Sequence, residues 1–399
     1  MRLSISSARE TLTWAALVAG ASACFFGAAS CSETNANPPT DAGPLGASGG
    51  FVPEIACTDT RDSIYDGGDS VFQDSLDGAA GAPLDPSRRG DIVRCEQEND
   101  IALGDLQQQS SQDGHVGRDF VSGAFEYRVL YRTWRGTGGP DSSAPTIGVS
   151  SAVVFVPDHP AAHKLPTIVI SRGTSGQGGV CTPTATDPVG EDIRLMAYPL
   201  VGAGYVVIAP DLAGYAEYGA QGNPPSGYAA AVDVGQSTID GARALKKMFA
   251  HSVTGDTVLV GHSQGGHTTL SALALADSYA KNPDGSADVN IAGVVVYAPL
   301  WLSQRSWGAL FFEADQYSIA SQPLVNAISI WYHYTNGELM AAGHGLDVFK
   351  PEKQEGVKKF VDDDCNTDNA PDLQALGTTV KDIFTQDFQD QITLPAALG

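Results

Sequence analysis

Basic residues are scarce in this chain: 399 residues hold 23 lysines and arginines against 46 acids, a net charge of −23. Without residues 1–30, which include Arg2, Arg9 and Glu10, the balance is 21 against 45, or −24. Such a surface repels phosphate backbones, which argues against nucleic acid as a partner. Cysteine is also rare, at six, and no two stand in a Cys-x-x-Cys spacing. No thiolate metal site is expected, and no metal. No nucleotide-binding glycine pattern follows the apolar run at 167–170, so no cofactor is expected either. What remains, 42% hydrophobic and 17% charged, suits one large domain or a domain with an inserted cap.

Residues 12–30 carry no charge and are preceded by Arg2 and Arg9. Together they give the basic and apolar regions of an export signal over residues 1–30. A spanning helix is the rival, but Ala, Gly and Ser outnumber Leu and Ile. The stretch ends Gly27-Ala28-Ala29-Ser30-Cys31, which resembles a bacterial lipoprotein signal. That resemblance implies Cys31 as a lipid anchor, membrane contact through it, and an outer-membrane or cell-surface lipoprotein. Leucine is missing three positions before Cys31, so ordinary cleavage and secretion is the alternative. Cys24, after Ala21-Ser22-Ala23, is a second candidate. Residues 31–50 are Pro, Gly, Ala, Asn and Ser, too polar to fold, and read as a flexible linker.

With Cys24 and Cys31 in the signal, Cys57, Cys95, Cys181 and Cys365 remain, an even number in an oxidising setting. Four cysteines allow three pairings. The favoured one joins Cys57 to Cys95 in the N-terminal segment and Cys181 to Cys365 across the core.

The chemistry is carried by Gly261-His262-Ser263-Gln264-Gly265-Gly266, which interrupts the apolar run 257–260 and opens a small-residue helical stretch. Gly-x-Ser-x-Gly has a steric cause: the serine sits at a strained backbone angle, and side chains two positions away would collide. Ser263 is the candidate nucleophile. The following helix points its positive end at it, and the Gln264 amide is a candidate oxyanion donor. The bland reading, a helix-capping serine in a glycine-rich turn, is opposed by the β-branched strand before the motif, the small-residue helix after it and the additional Gly266. His262 and His267 flank Ser263 but cannot bend back as its base, and read as packing or pocket-lining groups.

Upstream, residues 51–120 are loop-rich and read as wrapping the core. Residues 125–131 and 149–157 read as paired antiparallel strands. Continuous apolar runs at 167–170, 205–209, 258–260 and 294–297 alternate with helical stretches. That pattern predicts a parallel sheet covered on both faces, with functional groups beyond the strands' carboxyl ends. The first such end is Ser171-Arg172-Gly173-Thr174-Ser175-Gly176, whose Thr174 amide is the second candidate oxyanion donor. Arg172 stands there where a histidine is commoner. Asp211, at the next strand end, reads as a structural loop acid. Asp240 and Arg243 read as solvated or packing residues.

These residues resemble an α/β-hydrolase, more narrowly the secretory lipase family typified by fungal lipase A enzymes. The resemblance spans roughly residues 60–399. It rests on Arg89-Gly90-Asp91, the 125–157 hairpin, the glycine loop from Arg172 to Pro183 with its Cys181, and the elbow. It implies an α/β-hydrolase fold for residues 51–300 with a helical cap over 301–399. It also implies an acid and a histidine after the serine, and no match for either is found. After Leu300 the sequence reads as helical cap, so the chain reads as a hydrolase stopping before its last two strands, or one that has lost them. His344 superficially resembles a triad histidine in its loop, yet no strand precedes it. His333 is a weaker candidate still.

The implied function is serine-dependent hydrolysis of a carboxylic ester, small-molecule or lipid, through an acyl-enzyme on Ser263, in a chain with little activity by itself. Trp301, Trp307, Phe311, Phe312, Trp331 and Tyr332 either cover an acyl tunnel or simply pack the cap. The alternative is a non-catalytic surface lipoprotein that binds a hydrophobic ligand. Acyl length, alcohol group and oligomeric state are not encoded in any pattern found.

Overall fold

In the computed structural model, residues 50–66, 84–115, 117–137, 145–159, 163–301, 318–365 and 371–393 are described. The expected signal, the Cys31 anchor and the linker to residue 49 lie outside them, as do Trp307, Phe311 and Phe312. The strands are β1 (Ile92–Ile101), β2 (Ala124–Arg135), β3 (Thr146–Pro157), β4 (Leu165–Ser171), β5 (Val206–Ala213), β6 (Val253–His262) and β7 (Asn290–Tyr297). They form one sheet in the order β1-β2-β3-β5-β4-β6-β7. β1, β2, β3 and β5 pair antiparallel in succession; β5, β4, β6 and β7 pair parallel.

Period-two alternation decides which helix covers which face. On one side Val154 of β3, Val169 of β4 and Ile208 of β5 pack with Ile239, Ala242 and Leu245 of the helix Ala231–Met248. On the other, Phe155, Ile170 and Val207 pack with Ile193, Ala197 and Val201 of the helix Glu191–Gly202. In chain order the helices are α1 (Arg61–Tyr65), α2 (Leu103–Gln112), α3 (Glu191–Gly202), α4 (Ala231–Met248), α5 (Gln264–Tyr279), α6 (Pro323–Met340), α7 (Gln354–Asp363), α8 (Pro371–Leu376) and α9 (Gln386–Thr393). The sheet is that of an α/β-hydrolase fold, opened by an antiparallel hairpin and followed by helices.

Helices α6 to α9 share a core of their own. Trp331 lies flat on Phe360 at 5.5 Å between ring centroids, and Phe349, Val357, Val361 and Phe384 close around them. Tyr228, in the loop before α4, belongs to the same cluster. Disulfides join Cys57 to Cys95 and Cys181 to Cys365, the pairing the sequence favours.

Four expectations need correction. Residues 92–101 do not merely wrap: they form β1, an outer strand beside β2 whose Glu98 pairs with Arg61 and Arg128. β7 is not covered on both faces. It pairs only with β6 among the described residues and leaves Val295 40% and Tyr297 56% exposed. Of the two readings of Asp240 and Arg243, packing holds and solvation does not: they are buried and paired at 2.5 Å. Arg243 also binds Asp288, and Asp240 accepts hydrogen bonds from Thr133 and Tyr279. Residues 373–388, which read in the sequence as one charged amphipathic helical stretch, are broken, because α8, a 3-10 turn (Val380–Asp382) and α9 share them.

Candidate active site

Ser263 occupies the turn between β6 and α5 at φ 53° and ψ −116°, a left-handed conformation that costs a non-glycine residue energy. Its backbone is fixed at both ends: its N–H donates to Tyr297 O at 2.9 Å, and its carbonyl accepts from Leu300 N at 2.9 Å. The glycines around it are sterically required. A Cβ on Gly261 would lie 2.2 Å from Gly265 O, and one on Gly265 would lie 1.9 Å from Ser171 O. A Cβ on Gly266 would meet Pro299 at 2.8 Å. The turn therefore packs directly on the end of β4, where Ser171 pairs with Gly261.

That register carries the next loop, 172–176, alongside the serine. Gly173 N–H donates to Asp192 Oδ2 at 2.8 Å, and Thr174 Oγ1 shares a 2.8 Å hydrogen bond with Tyr228 OH. The Thr174 N–H has no hydrogen-bond partner among the described residues. The Gln264 amide opens α5, where no carbonyl four residues earlier lies within the helix to receive it. Two unclaimed amides thus belong to the two segments that meet beside Ser263, the requirement for binding a developing oxyanion.

All eight histidines fall among the described residues, and none hydrogen-bonds Ser263 Oγ. His262 Nδ1 pairs with Asp192 Oδ2 at 3.0 Å. His267 Nε2 bonds Ala229 O at 3.0 Å, and burial lowers its pKa. His333 is wedged between Tyr332, Phe384 and Phe388, and burial drives its pKa down to about 3. His344 pairs with Asp347 at 2.7 Å on an exposed loop after α6. His159 and His163 are four apart beyond β3, and His159 contacts Asp158. No cluster of three metal-ligating side chains occurs among the described residues. Asp211 is fully buried, which raises its pKa, and it accepts from Thr184 N at 3.0 Å and Ser151 Oγ at 2.7 Å. These bonds give it a loop-fixing place.

Asp192, which gathers Gly173 and His262, carried no signal in the sequence. It is an ordinary acid in the first turn of α3, where a helix N-terminus favours negative charge in any case.

Residues 190–386 match the model of the alpha/beta hydrolase family. No curated protein sequence matches the chain significantly. Among solved structures, the chain resembles a putative hydrolase from Legionella pneumophila, with TM-score 0.58 and 19% identity over 76% of each chain. Candida antarctica lipase A in its closed state gives TM-score 0.51 at 17% identity, over 76% of this chain and 62% of that one. The rice cell wall degrading esterase LipA from Xanthomonas oryzae gives 0.56 at 15% identity, over 77% and 76%. Strand order, the turn at Ser263 and the family match over residues 190–386 together give this chain an α/β-hydrolase fold.

Proposed function

We propose that the protein is a serine-dependent carboxylic ester hydrolase in which Ser263 is the nucleophile and the Gln264 and Thr174 amides hold the oxyanion. The observation that carries this reading is the strained Ser263 backbone, held by glycines that leave no room for a Cβ. Strain of this kind persists where it serves a reaction. Ser263 Oγ bonds to the ester carbonyl carbon, the carbonyl oxygen takes the negative charge, and collapse of the adduct releases the alcohol. Water then attacks the acyl-enzyme and frees the acid and the serine. The lipase and esterase neighbours support an ester of small-molecule or lipid type.

The serine's proton needs an acceptor, and no histidine here is bonded to Ser263. His344 is engaged with Asp347 on an exposed loop, and no contact among the described residues brings that pair to Ser263. Residual turnover therefore rests on the oxyanion donors and substrate binding, which retain about 10³- to 10⁴-fold over water when a triad member is missing. The 399-residue chain is expected to hydrolyse p-nitrophenyl esters slowly, and Ser263→Ala is expected to reduce the rate to the uncatalysed background. Undiminished turnover by the alanine variant rejects the assignment. The same free serine favours the second reading, a hydrolase scaffold that binds a hydrophobic ligand without chemistry. That reading predicts saturable binding of a fatty acyl probe with no Ser263-dependent turnover.

Export of the chain, with a lipid anchor at Cys31 or by plain secretion, is part of the same proposal. The two disulfides support an oxidising destination.

A further inference from the structure

Arg172 opens the loop that follows β4 and is only 4% exposed. Its guanidinium lies 4.7 Å from the centre of the Tyr215 ring. From there Nη1 donates to Gly173 O at 2.8 Å and reaches Gln264 Oε1 at 3.5 Å, while Nη2 reaches Asp211 O at 3.4 Å. One cation therefore touches the glycine loop, the end of β5 and the residue after Ser263.

The consequence follows from peptide geometry. Gly173 C=O and Thr174 N–H are the two ends of one planar trans unit, so they point in opposite directions. Holding the carbonyl against Arg172 aims the Thr174 N–H away from the interior. The preceding peptide is held as well, because Gly173 N–H donates to Asp192. A charged donor on the carbonyl also polarises the unit, which strengthens the N–H at its far end.

We infer that Arg172 is a positioning residue of the oxyanion hole, which sets the direction of the Thr174 N–H through the Gly173 carbonyl and couples it to the Gln264 side of the site. The inference rests on the ester-hydrolase reading above. Lysine cannot replace the guanidinium, since one ammonium does not span Gly173, Gln264 and Asp211 together.

The test compares a p-nitrophenyl ester with the matching thionoester, whose C=S sulfur accepts hydrogen bonds weakly, taking Ser263-dependent rates only. Arg172→Gln is expected to lower kcat for the ester by about 10- to 100-fold with KM changed less than about twofold, somewhat less than deletion of an oxyanion donor. The thionoester rate is expected to fall by less than about threefold, because it depends little on the donor being lost. Equal losses on both substrates overturn the inference, since general damage to the fold does not distinguish oxygen from sulfur. Arg172→Lys, which keeps the charge, is the second variant, with an intermediate ester loss expected. If the wild-type chain turns over neither substrate, the ester-hydrolase reading itself fails. The orientation claim is then decided by a crystal structure of Arg172→Lys: a turned Gly173–Thr174 peptide supports it, and an unmoved one overturns it.

Discussion

Gly265 shows how little freedom the turn at Ser263 has. Its missing side chain is occupied by the Ser171 and Arg172 carbonyls, 1.9 and 2.5 Å from where a Cβ would stand. Gly265→Ala must push β4 away from β6, and is expected to cost about 3 kcal/mol or more of stability, read from urea unfolding. A cost near zero would mean that the turn and the strand are not in contact. The elbow was legible in the sequence because its glycine spacing has this steric origin. The parts that converge on it were not. Asp192 and Tyr228 reach the loop at 173–174 from 19 and 54 residues away. Arg172 was visible only as a departure from a commoner histidine, and its meaning came from the three segments it touches. Local pattern encodes backbone strain, whereas side-chain convergence depends on the folded sheet.

The elements were legible to the extent that each buries both faces. Runs such as 167–170 and 205–209 are apolar throughout because helices cover both sides of β4 and β5. β1 escaped notice since an outer strand needs little apolar content, and β7 was read as more buried than it is because apolar content alone does not reveal an outer position. Among the C-terminal helices, Leu324, Ile328 and Trp331 at helical spacing after Pro323 are the sequence signal for α6, and the aromatic cluster around Trp331 is its packing. His333 gives these C-terminal helices an acid weakness. Its pKa falls from 6.5 to about 3 on folding, so the native state resists a proton that the unfolded chain accepts. Stability is then full above pH 6.5 and is lost progressively as pH falls from there towards 3, by at most about 1.4 kcal/mol per unit. Urea midpoints between pH 7 and 5 are expected to fall for the wild type, and less steeply for His333→Phe. Identical slopes would mean that His333 is solvated.

Across the whole molecule, the Cys181–Cys365 disulfide closes a loop of 184 residues and ties the segment after β4 to the C-terminal helices. Gly176, at φ +82°, leaves the space that this bridge fills, since its Cβ would lie 2.6 Å from Cys181 Sγ. The double variant Cys181→Ser, Cys365→Ser is expected to lose about 2–5 kcal/mol, measured by denaturant unfolding under oxidising conditions. No change would place the bridge outside the cooperative fold. The two disulfide pairs were legible because four cysteines allow few pairings. The strand order needed the structure, as no residue pattern states which strand lies beside which. The eight histidines are accounted for in the same way: each is engaged elsewhere or lies exposed, and none is bonded to the serine.

The central claim, that Ser263 is a nucleophile in a preformed oxyanion site, is tested most directly with a fluorophosphonate and mass spectrometry of the folded chain. The account predicts slow addition of one phosphonyl group, located on the peptide that contains Ser263 and absent from Ser263→Ala. A folded chain that stays unlabelled, or carries the label on another residue, would contradict it.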